Sequence, residues 1–153
     1  MNIIPYFELS RSGNGIHVWF FFLQDARARD ARILGDLIIT RAMDLSDGID
    51  MKSYDRLFPN QDYVAPDALG NLIALPLHYG SRSEGKTVFI DIDTMQPFVN
   101  QWEVLQSVKK VSPHKLHSLI AGYAAFDTLS SLMPWEIKKK KLVVPKIYDN
   151  GFA

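Results

Sequence analysis

A glycine-rich turn between two apolar segments constrains the fold of this chain most strongly. Residues 10–15, Ser-Arg-Ser-Gly-Asn-Gly, hold two glycines and an asparagine, which tolerate the positive φ angles of tight turns. Residues 5–9 and 16–23 on either side are rich in aromatic and β-branched side chains, as is typical of strands. Together they predict a β-hairpin. Because residues 16–23 are apolar except for His17, we expect the second strand to be central and covered on both faces.

The rest of the chain predicts helices around a second pair of strands. Asp25 is a candidate N-cap for a helix whose apolar residues, from Ala31 to Leu45, recur at helical spacing. Residues 46–69 are mostly loop. Segments 70–77 and 86–92 predict a second hairpin, and segments 100–108 and 113–132 predict helices. The order of elements predicts an α+β fold, an antiparallel-rich sheet of two hairpins with packed helices.

Composition excludes several classes of protein. The chain has 17 basic and 17 acidic residues, so no global positive field attracts nucleic acid, and any such binding must come from a local patch. It has no cysteine, which excludes disulfides and thiolate metal sites. No apolar run approaches the roughly 20 residues that span a bilayer. We expect a cytoplasmic protein with no membrane partner.

The first candidate site is the glycine-rich turn itself. Successive backbone N–H groups of such a turn can point at an anion, and a histidine two residues beyond it can add a phosphate contact. An arginine can supply a forked pair of donors. A tight hairpin turn with a locally satisfied histidine explains the spacing equally well. The candidate phosphate-contacting residues here are Arg11, Ser12, Gly13, Asn14, Gly15 and His17.

The second candidate site follows the apolar segment 87–90. Strand alternation puts Asp91 and Asp93 on one face, where two carboxylates can share Mg²⁺ or Mn²⁺. The alternative, in which an aspartate simply begins a turn, is favoured for Asp93 and less so for Asp91. Arg56 and Lys86 are further candidates for contact with a triphosphate or a nucleic-acid backbone, although lone basic residues are commonly solvated.

Four segments carry a family resemblance in a fixed order. They are residues 8–19 (Glu-Leu-Ser-Arg-Ser-Gly-Asn-Gly-Ile-His-Val-Trp), 53–62 (Ser-Tyr-Asp-Arg-Leu-Phe-Pro-Asn-Gln-Asp), 70–77 (Gly-Asn-Leu-Ile-Ala-Leu-Pro-Leu), and 88–91 (Val-Phe-Ile-Asp) followed by Gln101-Trp102. With them the chain resembles the archaeo-eukaryotic primase superfamily, and more closely the primase domain of the TOTE conflict systems.

The resemblance implies an RRM-like catalytic unit and template-directed nucleotidyl transfer with Mg²⁺ or Mn²⁺. It implies nucleoside triphosphates and single-stranded or template nucleic acid as partners. Members typically have an Asp-x-Asp pair, a Ser-x-His-like element that contacts the phosphates of the incoming nucleotide, and an aspartate that ends an apolar strand. The second motif falls on Ser12 and His17 and the third on Asp91, so His17 and Asp91 are the expected catalytic residues.

The first motif lies upstream of the second in the family, and the nine residues before Ser10 contain no aspartate. We therefore expect residues 1–133 to form a partial primase-type domain, incomplete at its N-terminus, and residues 134–153 to be a tail or linker. Such a domain would bind triphosphate or nucleic acid and be inactive alone. An upstream segment or a helicase domain would carry the missing motif. The alternative is a non-catalytic nucleic-acid-binding module.

Overall fold

The structure, a computed structural model, describes residues 2–46, 53–70 and 72–130, and only the helical backbone of residues 123–130. The expected tail at 134–153 lies outside the described residues. The fold is α+β. Its described elements, in chain order, are β1 (Tyr6–Leu9), β2 (Ile16–Trp19), α1 (Ala28–Leu45), α2 (Tyr79–Arg82), β3 (Phe89–Ile90), α3 (Gln101–Gln106) and α4 (Pro113–Ser130).

The described strands form one antiparallel sheet in the order β2-β1-β3. The turn at residues 10–15 joins β1 to β2, so the first hairpin is confirmed. Its register sets Glu8 opposite His17, and on the other edge of β1 the same glutamate lies opposite Phe89. The ladder between β1 and β3 extends toward the turn, because Leu9 N–H donates to Val88 O at 2.9 Å and Thr87 N–H donates to Leu9 O at 2.9 Å. β1 is therefore the central strand.

The expectation that the second strand is central and covered on both faces is wrong. β2 is the edge strand of the described sheet, and Val18 is 51% exposed. Only the first half of the apolar run 16–23 belongs to the strand, because its pairing with β1 ends at Trp19. The residues after Trp19 are apolar for other reasons. Phe21 packs on the core, and its carbonyl accepts a 2.7 Å hydrogen bond from the N–H of Val111.

The second hairpin is not confirmed. Residues 72–75 form no strand, and Leu72 is 84% exposed. A 2.7 Å hydrogen bond from Leu77 N–H to Thr87 O lies where the pairing was expected. The outer edge of β3 is instead met by the chain that follows it, since Ile90 forms a bridge with Pro97 and Phe98 N–H donates to Phe89 O at 3.1 Å. The amide of Gln101 accepts from Phe89 N–H at 2.6 Å and donates to Phe89 O at 2.9 Å and to Phe98 O at 2.8 Å.

The described residues fall into two compact units. The sheet unit, residues 3–26 and 64–113, contains the sheet, α2 and α3. Its core cluster is Leu77, Val88, Phe89 and Ile90, with seven partly buried apolar side chains packed against it. These seven are Tyr6, Phe7, Leu9, Trp19, Phe21, Val104 and Leu105.

The helical unit comprises residues 27–46, 53–63 and 114–130 among those described, with α1 and most of α4. Asp25 is not the N-cap of α1, because the helix begins three residues later, at Ala28, and its capping residue Arg27 makes no side-chain cap. A glycine inside α1 is explained by close packing: a Cβ on Gly35 would lie 2.6 Å from both δ carbons of Leu57. No described helix is both long and apolar enough to cross a bilayer.

Gln101→Ala should destabilise the sheet unit, because it leaves Phe89 N–H and Phe98 O without their partner, while Phe89 O keeps the N–H of Phe98. We expect the free energy of unfolding to fall by about 2–3 kcal/mol, the typical cost of orphaning buried polar groups. Urea denaturation followed by tryptophan fluorescence measures it. Gln106→Ala, at an exposed position of the same helix, is the matched control. A loss for Gln101→Ala no larger than that of the control contradicts this account of the β3 edge.

Candidate functional site

Ser10 closes the glycine-rich turn. Its backbone N–H donates to Gly15 O at 2.8 Å, and its carbonyl accepts from Gly13 N–H at 2.9 Å. Its side chain is buried, and the hydroxyl accepts from Gly15 N–H at 3.1 Å. The turn also requires φ of +79° at Gly13, a conformation that a side chain would strain. The residues of this segment thus fix one turn geometry.

The backbone N–H groups of the turn are engaged inside it. Those of Gly13 and Gly15 donate to Ser10, and that of Asn14 lies 3.3 Å from the hydroxyl of Ser12. In this conformation the turn does not present three free N–H groups to an anion. The donors at its outer surface are side chains, because Arg11 and Ser12 are exposed. The Ser12 hydroxyl is also 3.0 Å from that of Ser10.

Lys86 lies against this turn. Its Cε is 3.6 Å from the position that a Cβ on Gly13 would take, so its aliphatic stem crosses the glycine. Its ammonium donates to Glu84 Oε2 at 2.9 Å. The pKa of Glu84 is below its ordinary value, because Lys86 donates that hydrogen bond and adds a favourable charge. Lys86 is therefore a cation beside the turn, and its ammonium is paired with the carboxylate of Glu84.

The backbone next to Lys86 is held in an unusual conformation. Thr87 has φ of +54°, which is uncommon for a β-branched residue. Its N–H donates to Leu9 O and its carbonyl accepts from Leu77 N–H, so two bonds maintain the conformation. Its buried hydroxyl has no hydrogen-bond partner among the described residues. This arrangement fixes the point at which the Lys86 side chain leaves the backbone.

His17 is linked to a buried carboxylate. The side chain of His17 is 44% exposed, and its Nδ1 lies 3.2 Å from Oε2 of Glu8, whose side chain is 1% exposed. The same oxygen accepts from Trp19 Nε1 at 2.5 Å. The Trp19 ring in turn stacks on Phe21, with centroids 6.4 Å apart. The imidazole is thus supported from within the sheet and presents its other edge outward.

Asp91 closes a turn directly after β3. Its Oδ1 accepts from the N–H groups of Asp93 and Thr94, both at 2.9 Å. The pKa of Asp91 is lowered, chiefly by the hydrogen bond from Thr94, with burial opposing it. Asp93 is exposed. The turn reading of the sequence thus describes Oδ1 of Asp91, and metal binding by its carboxylate stays a prediction.

The sheet brings His17 and Asp91 to neighbouring parts of one unit. Adjacent strands lie about 4.8 Å apart, and β1 alone separates β2 from β3. No described group of three or more histidine, aspartate or glutamate side chains has a geometry that could hold a metal ion. Arg56 belongs to the helical unit, where it pairs with Asp55 at 3.3 Å and lies 5.9 Å from the Phe58 ring. Its relation to the turn stays a prediction.

Sequence reasoning missed Glu8 and Ser10. Both lie beside the assigned motif residues, and neither residue type is a sign of burial, since most glutamates and serines are exposed. The available signal was the register. A six-residue turn closed between Ser10 and Gly15 sets Leu9 opposite Ile16 and therefore Glu8 opposite His17, and a glutamate within an apolar strand, facing a histidine, indicates a paired carboxylate.

Ser10→Ala and Ser12→Ala should show which of the two serines stabilises the turn. Losing the Ser10 hydroxyl leaves Gly15 N–H without its acceptor, so we expect the free energy of unfolding to fall by about 1–2 kcal/mol. Ser12 is exposed, and its loss should change stability by less than about 0.5 kcal/mol. Chemical denaturation measures both. Equal losses for the two variants contradict the assignment of Ser10 as the residue that closes the turn.

Comparison with known families matches residues 1–119 to the model of the TOTE conflict system archaeo-eukaryotic primase domain. Comparison with curated proteins finds no match. The match extends over 119 of 153 residues and includes the turn, His17, Arg56, Lys86 and Asp91. The family resemblance carried by the four ordered motifs is therefore confirmed, and the chain belongs to the archaeo-eukaryotic primase domain family of the TOTE conflict systems.

Proposed function

We propose that this domain is part of a primase-polymerase, a nucleotidyltransferase, and that it binds the triphosphate of a nucleotide beside the glycine-rich turn. The observation that carries the proposal is the position of Lys86, whose stem crosses Gly13. That contact places a cation from the approach to β3 next to a turn that also bears Arg11 and Ser12. The hairpin turn and the segment before β3 thus both contribute side-chain donors at the turn.

The triphosphate contacts in this proposal come from side chains. Arg11 and Lys86 neutralise phosphate charge, the Ser12 hydroxyl donates, and the outer nitrogen of His17 donates to a phosphate oxygen. Gly13, Asn14 and Gly15 shape the turn that holds these groups. Nucleotidyl transfer places growing negative charge on the departing pyrophosphate, and fixed donors aimed at that charge lower the barrier. Arg56 is a further candidate for phosphate or template contact.

The family implies a divalent metal, Mg²⁺ or Mn²⁺, and the described residues fit one ligand of such a site. Carboxylate oxygens suit these ions, both backbone hydrogen bonds of the turn go to Oδ1 of Asp91, and Asp93 is two residues away. A bound ion would neutralise phosphate charge. Because a two-metal site needs several carboxylates, we propose that transfer requires others, supplied by another segment or a helicase-linked partner. Steady primer synthesis by this chain alone with Mn²⁺ would refute that requirement.

A titration with ATP tests the proposed function. We expect His17→Ala and Lys86→Ala each to raise the Kd for ATP about tenfold, the effect of losing one charge-assisted hydrogen bond. Isothermal calorimetry measures the affinity. Lys110→Ala removes the same charge from an exposed position of the same unit and should leave Kd unchanged. Binding that is equally weak in all variants, or insensitive to all of them, contradicts the proposed site.

The second candidate function is a non-catalytic module for single-stranded nucleic acid. One observation favours it: Trp102 is 55% exposed and the Arg82 guanidinium lies 5.5 Å from its ring centroid. An exposed aromatic ring paired with arginine can stack on a base. A parallel titration with labelled single-stranded DNA distinguishes the two functions. Binding that Trp102→Ala abolishes and that His17→Ala leaves unchanged, without any ATP binding, favours the module.

Asp91→Asn should separate the metal role of this residue from its role in the turn. Asparagine still accepts the hydrogen bonds of Asp93 and Thr94 and suits such turns, so stability should change by less than about 0.5 kcal/mol. The increase in ATP affinity caused by Mn²⁺ should disappear. Calorimetry with and without Mn²⁺ measures it. Asp93→Asn removes the same charge nearby and should retain most of the increase. An unchanged Mn²⁺ effect in Asp91→Asn contradicts the assignment.

A further inference from the structure

Glu8 is a charged residue buried in the middle of the sheet. Its side chain is 1% exposed, and it lies on the central strand, opposite both His17 and Phe89. Glutamate is seldom fully buried unless it is paired, because removing a carboxylate from water without hydrogen-bond partners costs a great deal of free energy. An apolar residue would serve the core better at this position, so the carboxylate has a role other than packing.

The hydrogen bonds of Glu8 identify its partners. Oε2 accepts from Trp19 Nε1 at 2.5 Å and lies 3.2 Å from His17 Nδ1. The indole nitrogen can only donate, so this oxygen acts as an acceptor. Nδ1 can bond to that acceptor only when it carries the ring proton. Nε2, on the other edge of the half-exposed ring, has no hydrogen-bond partner in the described part of the chain.

We propose that Glu8 is a positioning residue for His17, an inference that rests on the proposed triphosphate site. The buried carboxylate keeps a proton on Nδ1 and fixes the ring so that Nε2 faces the phosphates. When Nε2 also donates, the ring carries a positive charge. Glu8 balances that charge on one side and the triphosphate on the other. A hydrogen bond of this kind from a carboxylate commonly fixes the tautomer and orientation of a functional histidine.

Trp19 completes the arrangement from the neighbouring position on β2. Its indole N–H holds the same carboxylate oxygen that faces His17. Its ring lies edge-on to the imidazole, with centroids 6.4 Å apart, and stacks on Phe21. The carboxylate is therefore anchored from the core side whether or not a ligand is present. The acceptor for His17 Nδ1, Glu8 Oε2, is thus already held in place by Trp19.

The test combines a spectroscopic readout with binding of a defined probe. The full chain is labelled with ¹⁵N-histidine, the His17 signals are assigned by their loss in His17→Gln, and long-range ¹H–¹⁵N spectra report which ring nitrogen is protonated. The probe for binding is inorganic tripolyphosphate. We expect the wild-type ring to carry its proton on Nδ1 and to gain one on Nε2 when tripolyphosphate binds.

Glu8→Gln removes the charge and nearly preserves the shape. We expect it to populate the Nε2-protonated neutral tautomer and to raise the Kd for tripolyphosphate about tenfold. Gln101→Ala is the control for lost stability, because it removes hydrogen bonds of the same sheet and none of them involves Glu8 or His17. It should lower the melting temperature as Glu8→Gln does, keep the Nδ1 proton, and change Kd less than about threefold.

Three outcomes overturn the inference. The first is a wild-type His17 protonated on Nε2 alone at neutral pH, which requires no variant to fold. The second is an unchanged tautomer and Kd in Glu8→Gln, and the third is an equal loss of affinity in Gln101→Ala. Failure of the wild-type chain to bind tripolyphosphate contradicts the proposed function instead, since an Nδ1 proton that depends on Glu8 would still support the positioning role.

Discussion

The pairing of β1 on both of its edges is the constraint on which the candidate site depends. Through one edge Glu8 lies opposite His17, and through the other it lies opposite Phe89, two residues before Asp91. The two segments to which the second and third family motifs are expected to correspond are thus held at fixed separation by one short strand. The bonds of Leu9 with Thr87 and Val88 extend that pairing to the turn, so Lys86 is placed next to Gly13 by the same ladder.

The hairpin and the motif positions could be predicted from the sequence because their causes are local. Two glycines and an asparagine between apolar segments favour a turn whatever the rest of the chain does. The turn then fixes the register of β1 against β2. The edge position of β2 could not be predicted in this way. Ile16 and Val18 are exposed while Trp19 and Phe21 pack on the core, and apolarity alone does not distinguish these environments. The expected second hairpin is not confirmed, because the segment that follows β3, through Pro97, Phe98 and the Gln101 side chain, occupies the outer edge of β3.

The turn also shows why residue type does not settle a binding role. Glycine-rich turns are associated with anion binding through backbone N–H groups, and the sequence left that reading balanced against a tight turn. In the structure, the backbone of Gly13, Asn14 and Gly15 forms the tight turn. The phosphate donors that we propose are therefore the side chains of Arg11, Ser12 and Lys86. The burial of Glu8 likewise could not be inferred from its residue type, because it depends on the contacts of Glu8 with His17 and Trp19 across the hairpin.

A titration of the ¹⁵N-labelled chain with a non-hydrolysable ATP analogue, followed by two-dimensional ¹H–¹⁵N spectra, tests the central claim most directly. The claim is that a triphosphate binds beside the turn and is contacted there by His17 and Lys86. It predicts saturable shifts that are largest at residues 11–17 and at Lys86, and smaller shifts in the exposed end of α3 around Trp102. Saturable shifts confined to other parts of the chain, or no shifts at millimolar analogue, would contradict it.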